Sequence, residues 1–364
     1  MSTSKKILAI YENLPSGGAK LTYQNTYNYL KKSYFTKVIT EPEYKISNLA
    51  QYMYVCFITS QNYQRKIIRS TNHDILLVYH SWMVKSPSIL RFTNKPKIYI
   101  CHEPMREYYD SAHIQLQNTK EKIVNLLRLP IMFLDRMNIR AKNTTIVANS
   151  NYSKRIIDKT YGVNCKVIYP GVNTKLYQIN QVIKKTYQVI CVGAINKYKN
   201  QNFLVDVIGQ IPVAMRPVFV LVGNGAEDSY LKLLLAKARL LGVKVKVKLN
   251  VTNKTKILEL RKSKIFIYSP INEPFGIVIE EALSAGLPIL TYNGGGGYNE
   301  IIDSRNGTIV DTLDPKIWAN NLQTMLQDNH IAKQISKYNM QYARKNFDLK
   351  YTDLKISNLI NNII

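Results

Sequence analysis

Short apolar, β-branched runs recur along the chain, and most are separated by longer segments whose apolar positions return every three or four residues. In the first half the runs are "KILAIY" (6–11), "FTKVIT" (35–40), "DILLVY" (74–79), "KIYIC" (97–101), "TTIVAN" (144–149) and "KVIY" (166–169). In the second half they are "YQVICVG" (187–193), "VFVLVG" (218–223), "VKVKVKL" (243–249), "KIFIYS" (264–269), "PILTY" (288–292) and "GTIV" (307–310). Segments of helical length and period lie at 47–66, 199–210, 226–241, 254–262 and 315–327. Strands that alternate with helices predict parallel sheets joined by right-handed crossovers. One sheet of a dozen strands exceeds the usual size, so the pattern predicts an α/β protein of two doubly wound, Rossmann-like domains. The boundary falls in the polar stretch after Pro170-Gly171, which divides the chain into 1–178, 179–345 and a tail at 346–364. In the tail Leu349, Leu354, Ile356, Leu359, Ile360 and Ile363 recur at helical spacing. The tail is expected to form a helix docked back on the body, toward the N-terminal domain.

Composition narrows the class. The 364 residues exceed a single hydrophobic core, and 46% hydrophobic with 20% charged residues excludes extensive disorder. Lys plus Arg number 50 against 24 Asp plus Glu, a formal net charge of +26. Such an excess suits anionic partners such as nucleotides, anionic membranes or nucleic acid, and equally describes a solvated Lys-rich surface. Cys56, Cys101, Cys165 and Cys191 are far apart, with three of them in apolar, strand-like runs. They read as buried free thiols. The N-terminal "ILAIY" is too short for a secretory segment, and no apolar run approaches 18 residues. Cytoplasmic residence is the expectation, with a peripheral place at the membrane's inner face as a further reading. The basic, amphipathic stretch 120–143 bears on that reading, although core packing is the ordinary role of such a stripe and Pro130 interrupts it.

Candidate chemistry concentrates in "NEPFGIVIEEALSAGLP" (272–288). It reads as a loop, a short helix and the approach to the next strand, with Gly286 as the residue that ends the helix. Glu273 therefore lies at the carboxyl edge of a parallel sheet, where ligands bind. Gly276 allows close backbone approach, and the first N–H groups of the helix face an anion. Glu281 leans back toward the helix start, and a carboxylate there accepts hydrogen bonds from sugar or ribose hydroxyls. Helix-dipole complementation is the alternative for Glu280 and Glu281, and Glu280 is expected to face solvent or the dipole.

The segment "EPFGIVIEE" resembles the E-x7-E motif of retaining nucleotide-sugar glycosyltransferases of family 4 (glycosyl transferases group 1), which have the GT-B fold. The resemblance implies that Glu273 holds hydroxyls of the donor sugar, that Glu281 holds the donor ribose, and that Phe275 and Gly276 line the donor site. Similar features run in order over nearly the whole chain. "NLPSGGAKL" resembles the N-terminal glycine loop, in which Gly17 and Gly18 approach the donor phosphate or the acceptor. "YICHEPMREYYD" resembles the segment that places a histidine, here His102, beside the reacting sugar. "VGAINKYKNQNFLVD" resembles the phosphate-binding segment, with Lys199 as its lysine. Where the family usually carries arginine after the glycine, this chain has Ala194, so Lys197 or Arg106 would have to compensate, or donor affinity or activity falls. Ser150 and Asn151 read as helix caps. "NGGGGYNEII" (293–302) offers backbone N–H groups for phosphate or sugar oxygens ahead of a helix near Tyr298.

No Asp-x-Asp pair, Walker lysine loop or G-x-G-x-x-G fingerprint occurs. The resemblance thus implies a retaining, metal-independent hexosyltransferase with no cofactor beyond its nucleoside-diphosphate-sugar donor. Glu273, His102 and Lys199 are its expected catalytic residues, and a glycan, lipid-linked or protein molecule its acceptor. A nucleic-acid sugar transferase of the same fold and a non-catalytic sugar-nucleotide or glycan-binding protein remain the alternatives.

Overall fold

The computed structural model describes residues 6–12, 18–177 and 183–363. The chain forms two compact units, Met1–Pro170 with Lys350–Ile364, and Gly171–Leu349.

The first unit is built on β1 (Lys6–Glu12), β2 (Phe35–Glu41), β3 (Ile75–Tyr79), β4 (Lys97–Cys101), β5 (Thr144–Ala148) and β6 (Lys166–Val167). The second is built on β7 (Gln188–Val192), β8 (Val218–Gly223), β9 (Val245–Leu249), β10 (Ile265–Tyr268), β11 (Ile289–Tyr292) and β12 (Gly307–Val310). Both sheets are parallel throughout, in the orders β2-β1-β3-β4-β5-β6 and β12-β11-β10-β7-β8-β9. Each of the twelve apolar runs forms a strand. Central strands such as β3, β4 and β7 are buried at every position, which is why they read as unbroken apolar runs. The edge strand β9 instead alternates Val with Lys, and lysines discourage pairing with another chain.

The strand orders decide where ligands can bind. In a doubly wound sheet the crevice opens where the order reverses. That point lies between β1 and β3 in the first unit and between β7 and β10 in the second.

Helix Leu349–Ile363 packs on the first sheet, its Ile356, Leu359 and Ile360 joining Ile7, Ala9, Ile75, Leu77 and Ile98 in one core. Thr352 Oγ1 donates to Tyr169 O at 2.9 Å. Leu354, read as part of the apolar stripe, is exposed. The stretch 120–143 divides: helix Leu129–Ile139 buries Ile131, Leu134 and Ile139, whereas helix Thr119–Leu127 buries nothing. All four cysteines are buried free thiols, although Cys56 lies on a π-helical turn (Val55–Thr59) rather than a strand.

Candidate active site

At the reversal point of the second sheet, the loops leaving β7 and β10 meet. Asn200, at φ 55°, donates from Nδ2 to Ser269 O at 3.2 Å, and Ser269 Oγ donates back to Asn200 O at 3.2 Å. Asn196 Oδ1 accepts from the N–H groups of Tyr198 and Lys199, fixing a short 3₁₀ turn. Together these bonds aim the Lys199 ammonium at Glu273, where it donates to both carboxylate oxygens at 2.6 Å. The two side chains retain 22% and 13% of their exposure, so the pair sits at the mouth of the sheet rather than inside it. Ala194 contributes its carbonyl to Gln201 Nε2 at 2.8 Å.

The glycine run holds Glu273 in place. Glu273 N donates to Gly295 O at 2.8 Å and Gly297 N donates to Glu273 O at 2.7 Å, so part of the backbone expected to face a ligand is used on the loop. Gly296 has φ 95°, and a Cβ there would lie 2.6 Å from Glu273 O. A Cβ on Gly295 would run into the Tyr298 ring and one on Gly297 into Pro274 O, so side chains are excluded by close approach. Tyr298 is buried, donates to Pro270 O at 2.9 Å and packs edge-on against Tyr268. Phe275 is buried under the same loop.

Gly276, at φ 83°, opens helix Ile277–Ser284. Glu281 is buried, accepts from the Lys256 ammonium, and faces the Tyr177 hydroxyl, whose pKa burial and this carboxylate push up. Glu273 and Glu281 therefore have separate partners: a lysine at the sheet mouth, and a lysine plus a tyrosine deeper in. Glu280 corrects the sequence reading. It is fully buried, and neither carboxylate oxygen has a hydrogen-bond partner among the described residues. Burial first, and Glu281 second, push its pKa well above the carboxylate range. Solvent exposure fails because helix Asn329–Asn346 covers the helix that carries it.

In the first unit, His102 leaves β4 at its carboxyl end. Its Nδ1 lies 3.4 Å from Asn149 Nδ2, and its Nε2 is buried without a partner among the described residues. Burial pushes its pKa down to about 4, so the imidazole is neutral near pH 7. His102 lines a recess with Thr22, Thr26, Tyr79, Asn149 and Thr352. Gly18 begins helix Gly18–Ser33, and Gly17 lies outside the described residues. Ser150 caps helix Asn151–Tyr161 by accepting from Ser153 N at 2.9 Å.

Three neighbours of His102 escape the sequence reading. His80 leaves β3 one strand away, with its ring 5.7 Å from that of His102. Lys85 Nζ lies 3.2 Å from His80 Nε2 and 3.4 Å from a Glu103 oxygen. The "VYHSW" that places His80 carries the same signal as "YICHE": a histidine directly after a strand at the ligand edge. Lys256 and Tyr177, the partners of Glu281, lie 25 and 104 residues from it and leave no local signal.

Two parallel six-stranded sheets with polar clusters at their carboxyl edges define the GT-B class. Residues 173–342, just under half of the chain, match the Glycosyl transferases group 1 family, so the second unit is similar to the domains of that group. The chain is 27% identical over 220 residues to an alpha-1,3/1,6-mannosyltransferase ALG2 of Kluyveromyces lactis, covering 49% of this chain and 44% of that one. Matches to two other ALG2 proteins span only 20% and 18% of their lengths, so the chain covers less than half of these curated relatives. Among solved structures it resembles sucrose-phosphate synthase of Thermosynechococcus elongatus (TM-score 0.76, 14% identity, 99% of both chains). It also resembles Anabaena Alr3699/HepE, solved with UDP and glucose (TM-score 0.68, 19% identity, 98% of this chain and 100% of that one).

Proposed function

We propose that this chain is a retaining glycosyltransferase that moves a hexose-type sugar from a nucleoside diphosphate to a glycan, lipid-linked or protein acceptor without a metal. The observation that carries the reading is the Lys199–Glu273 pair, held at 2.6 Å at the reversal point of a sheet whose residues match the Glycosyl transferases group 1 family. Sugar transfer breaks the bond between the anomeric carbon and the diphosphate oxygen, and negative charge grows on the departing diphosphate. Lys199 is the cation placed to take up that charge, and Glu273 is the acceptor for donor-sugar hydroxyls. The acceptor hydroxyl attacks from the face the diphosphate leaves, and its proton passes to the leaving oxygen, so the configuration is retained. Glu281, backed by Lys256, anchors the ribose, and neutral His102 contacts the reacting sugar. Phe275 and Gly276 hold the loop beneath it, and Gly17 and Gly18 approach the donor phosphate or the acceptor.

A thermal-shift panel of UDP, GDP and ADP sugars tests the reading, since a ligand that binds the folded state raises its melting point. One donor class should shift the protein and be consumed when acceptor is present. A shift by the nucleotide with no turnover over a broad acceptor set would favour a non-catalytic binding protein, the outcome that Ala194 makes worth testing.

A peripheral contact with an anionic membrane is a second reading, favoured by helix Thr119–Leu127. Ile123, Leu126 and Leu127 are 56%, 65% and 55% exposed beside Lys120 and Lys122. Among the described residues no helix is long and apolar enough to cross a membrane. Co-sedimentation with phosphatidylglycerol vesicles that weakens with salt would support the contact.

A further inference from the structure

At the amino ends of the second sheet, four neighbouring strands are approached by segments of one charge. Residues 183–187, 211–217, 239–244 and 261–264 lead into β7, β8, β9 and β10, which lie side by side in the order β10-β7-β8-β9. They carry two, one, two and three Lys or Arg and no Asp or Glu. Nearer the other edge, lysines are closed on acids: Lys248 on Glu259 and Lys256 on Glu281. Lys184, Lys185, Arg239, Lys244, Lys262 and Lys264 form no ion pair among the described residues.

Hydrogen bonds join the four segments into one surface. Lys185 Nζ donates to Ser263 O at 2.7 Å, and Thr186 N to Lys262 O at 2.8 Å. Tyr187 OH donates to Met215 O at 2.9 Å. Arg216 donates to Ile211 O and Gly209 O, each at 2.7 Å, and to Leu241 O. Its guanidinium thus staples the ends of helices Gln201–Gln210 and Asp228–Leu240 to the segment between them.

Aliphatic side chains stand in this basic field. Leu240 and Val213 are 87% and 74% exposed, more than any other large apolar side chain among the described residues. Leu240 ends its helix, and Val213 opens a 3₁₀ turn after Pro212. Aliphatic groups left in water forgo favourable burial, and apolar surface rimmed by charge marks a contact site. Cations alone would suit a nucleic-acid backbone, but the phosphates that such binding uses give an exposed leucine or valine nothing to bury against. An anionic bilayer surface offers both partners: headgroup phosphates for the cations and an acyl boundary for the aliphatic tips.

We propose that the amino edge of the second sheet is a docking surface for an anionic lipid bilayer, with its lysines on headgroup phosphates and Leu240 and Val213 inserted at the acyl boundary. The surface lies at the opposite ends of β7 and β10 from Lys199 and Glu273, so a bilayer there leaves that pair uncovered. It is separate from helix Thr119–Leu127 of the first unit, and it stands without the transferase reading.

Leu240→Cys supplies the readout. The four native cysteines are buried, so an environment-sensitive fluorophore attaches to the full chain at position 240. Vesicles of mixed phosphatidylglycerol and phosphatidylcholine should shift its emission to the blue, less so as salt rises, and pure phosphatidylcholine should not. Lys184 and Lys244 are both exposed. Lys184→Glu combined with Lys244→Glu should weaken co-sedimentation of the unlabelled chain with mixed vesicles roughly tenfold or more, with its melting point unchanged. Leu240→Ser should weaken it severalfold and leave the salt dependence as in the parent. Leu126→Ser with Leu127→Ser is the control on the first unit, and an RNA duplex is titrated in a parallel arm. No blue shift at position 240, a charge-reversed protein that sediments as the parent does, or loss of binding in the first-unit control alone overturns the proposal. So does a blue shift with the duplex and none with vesicles. The donor-nucleotide thermal shift keeps the readings apart: if it persists in any of these cases, only the docking surface is lost.

Discussion

The two sheet edges hold their polar groups in opposite ways. In the second unit the charges are closed on one another: Lys199 on Glu273, and Lys256 on Glu281. In the first unit His80 and His102 are neutral and each keeps a buried nitrogen without a partner among the described residues. A closed ion pair can exchange partners with a charged ligand at little net cost, because each charge is compensated before and after binding. An unpartnered imidazole nitrogen instead gains a bond when a neutral hydroxyl arrives. On the proposed reading, the contrast suits diphosphate chemistry in the second unit and hydroxyl recognition in the first.

The largest expected effect breaks the closed pair. Glu273→Ala should lower kcat/KM for transfer by roughly 10²–10³-fold, the range for removing one group that acts in the transition state. Binding of the nucleoside diphosphate alone, measured by calorimetry, should hold or tighten, because Lys199 is released. Lys199→Ala should weaken that same binding. A variant that loses nucleotide affinity and turnover together at Glu273 would show that the pair is scaffold rather than clasp.

The deeper pair should answer with stability. Glu281→Ala leaves Lys256 and Tyr177 without their carboxylate in a buried place, a loss of about 3 kcal/mol. Urea unfolding followed through Trp318, which lies in the same unit, measures it. An unchanged transition midpoint would mean that Lys256 finds water instead.

The first unit should respond to pH rather than to ligand charge. The folded pKa of His102, about 4, lies below its ordinary value, so the folded state binds fewer protons than the unfolded one. Stability is then complete above about pH 6.5 and is lost as pH falls toward 4, by roughly 3 kcal/mol from this residue. His80, held neutral by burial beside Lys85, adds to the slope. His102→Asn should flatten the dependence between pH 7 and 4, and equal slopes for the two proteins would refute the assignment.

These contrasts differ in how far the sequence shows them. Strand runs were readable because parallel strands buried on both faces must be apolar throughout, as in "ILLVY" and "KIYIC". Glu273 was readable because a loop after a strand lies at the ligand edge whatever the rest of the fold does. Its contact with Lys199 was not, because 74 residues separate them and only the reversed strand order brings β7 beside β10. The π turn at Val55–Thr59 interrupts a helix with no glycine or proline to mark it. Glu280 was misread because an acid in a first turn fits the dipole rule, and that rule does not know which faces of the helix are covered.

Glu280 gives the smallest expected effect and the sharpest test of that covering. Its carboxyl is fully buried without a hydrogen bond among the described residues, beside the better-paired Glu281, so removing it should help. Glu280→Leu keeps the approximate volume and should raise stability at pH 7 by about 1–2 kcal/mol. The sign with pH follows from the direction of the shift. Below the ordinary value of 4.5 both folded and unfolded forms carry the proton, and no pH-dependent cost arises. Above it the unfolded chain ionises while the folded carboxyl stays protonated, so the cost grows with pH until the raised folded pKa is reached. The advantage of the leucine variant in calorimetric Tm should therefore be least near pH 4 and widen toward neutrality. Glu280→Gln, which has the shape of the protonated acid and cannot ionise, should remove the pH dependence while keeping the burden of a buried polar group. A leucine variant that melts below the parent at pH 7 would mean that Glu280 has a compensating partner in solution.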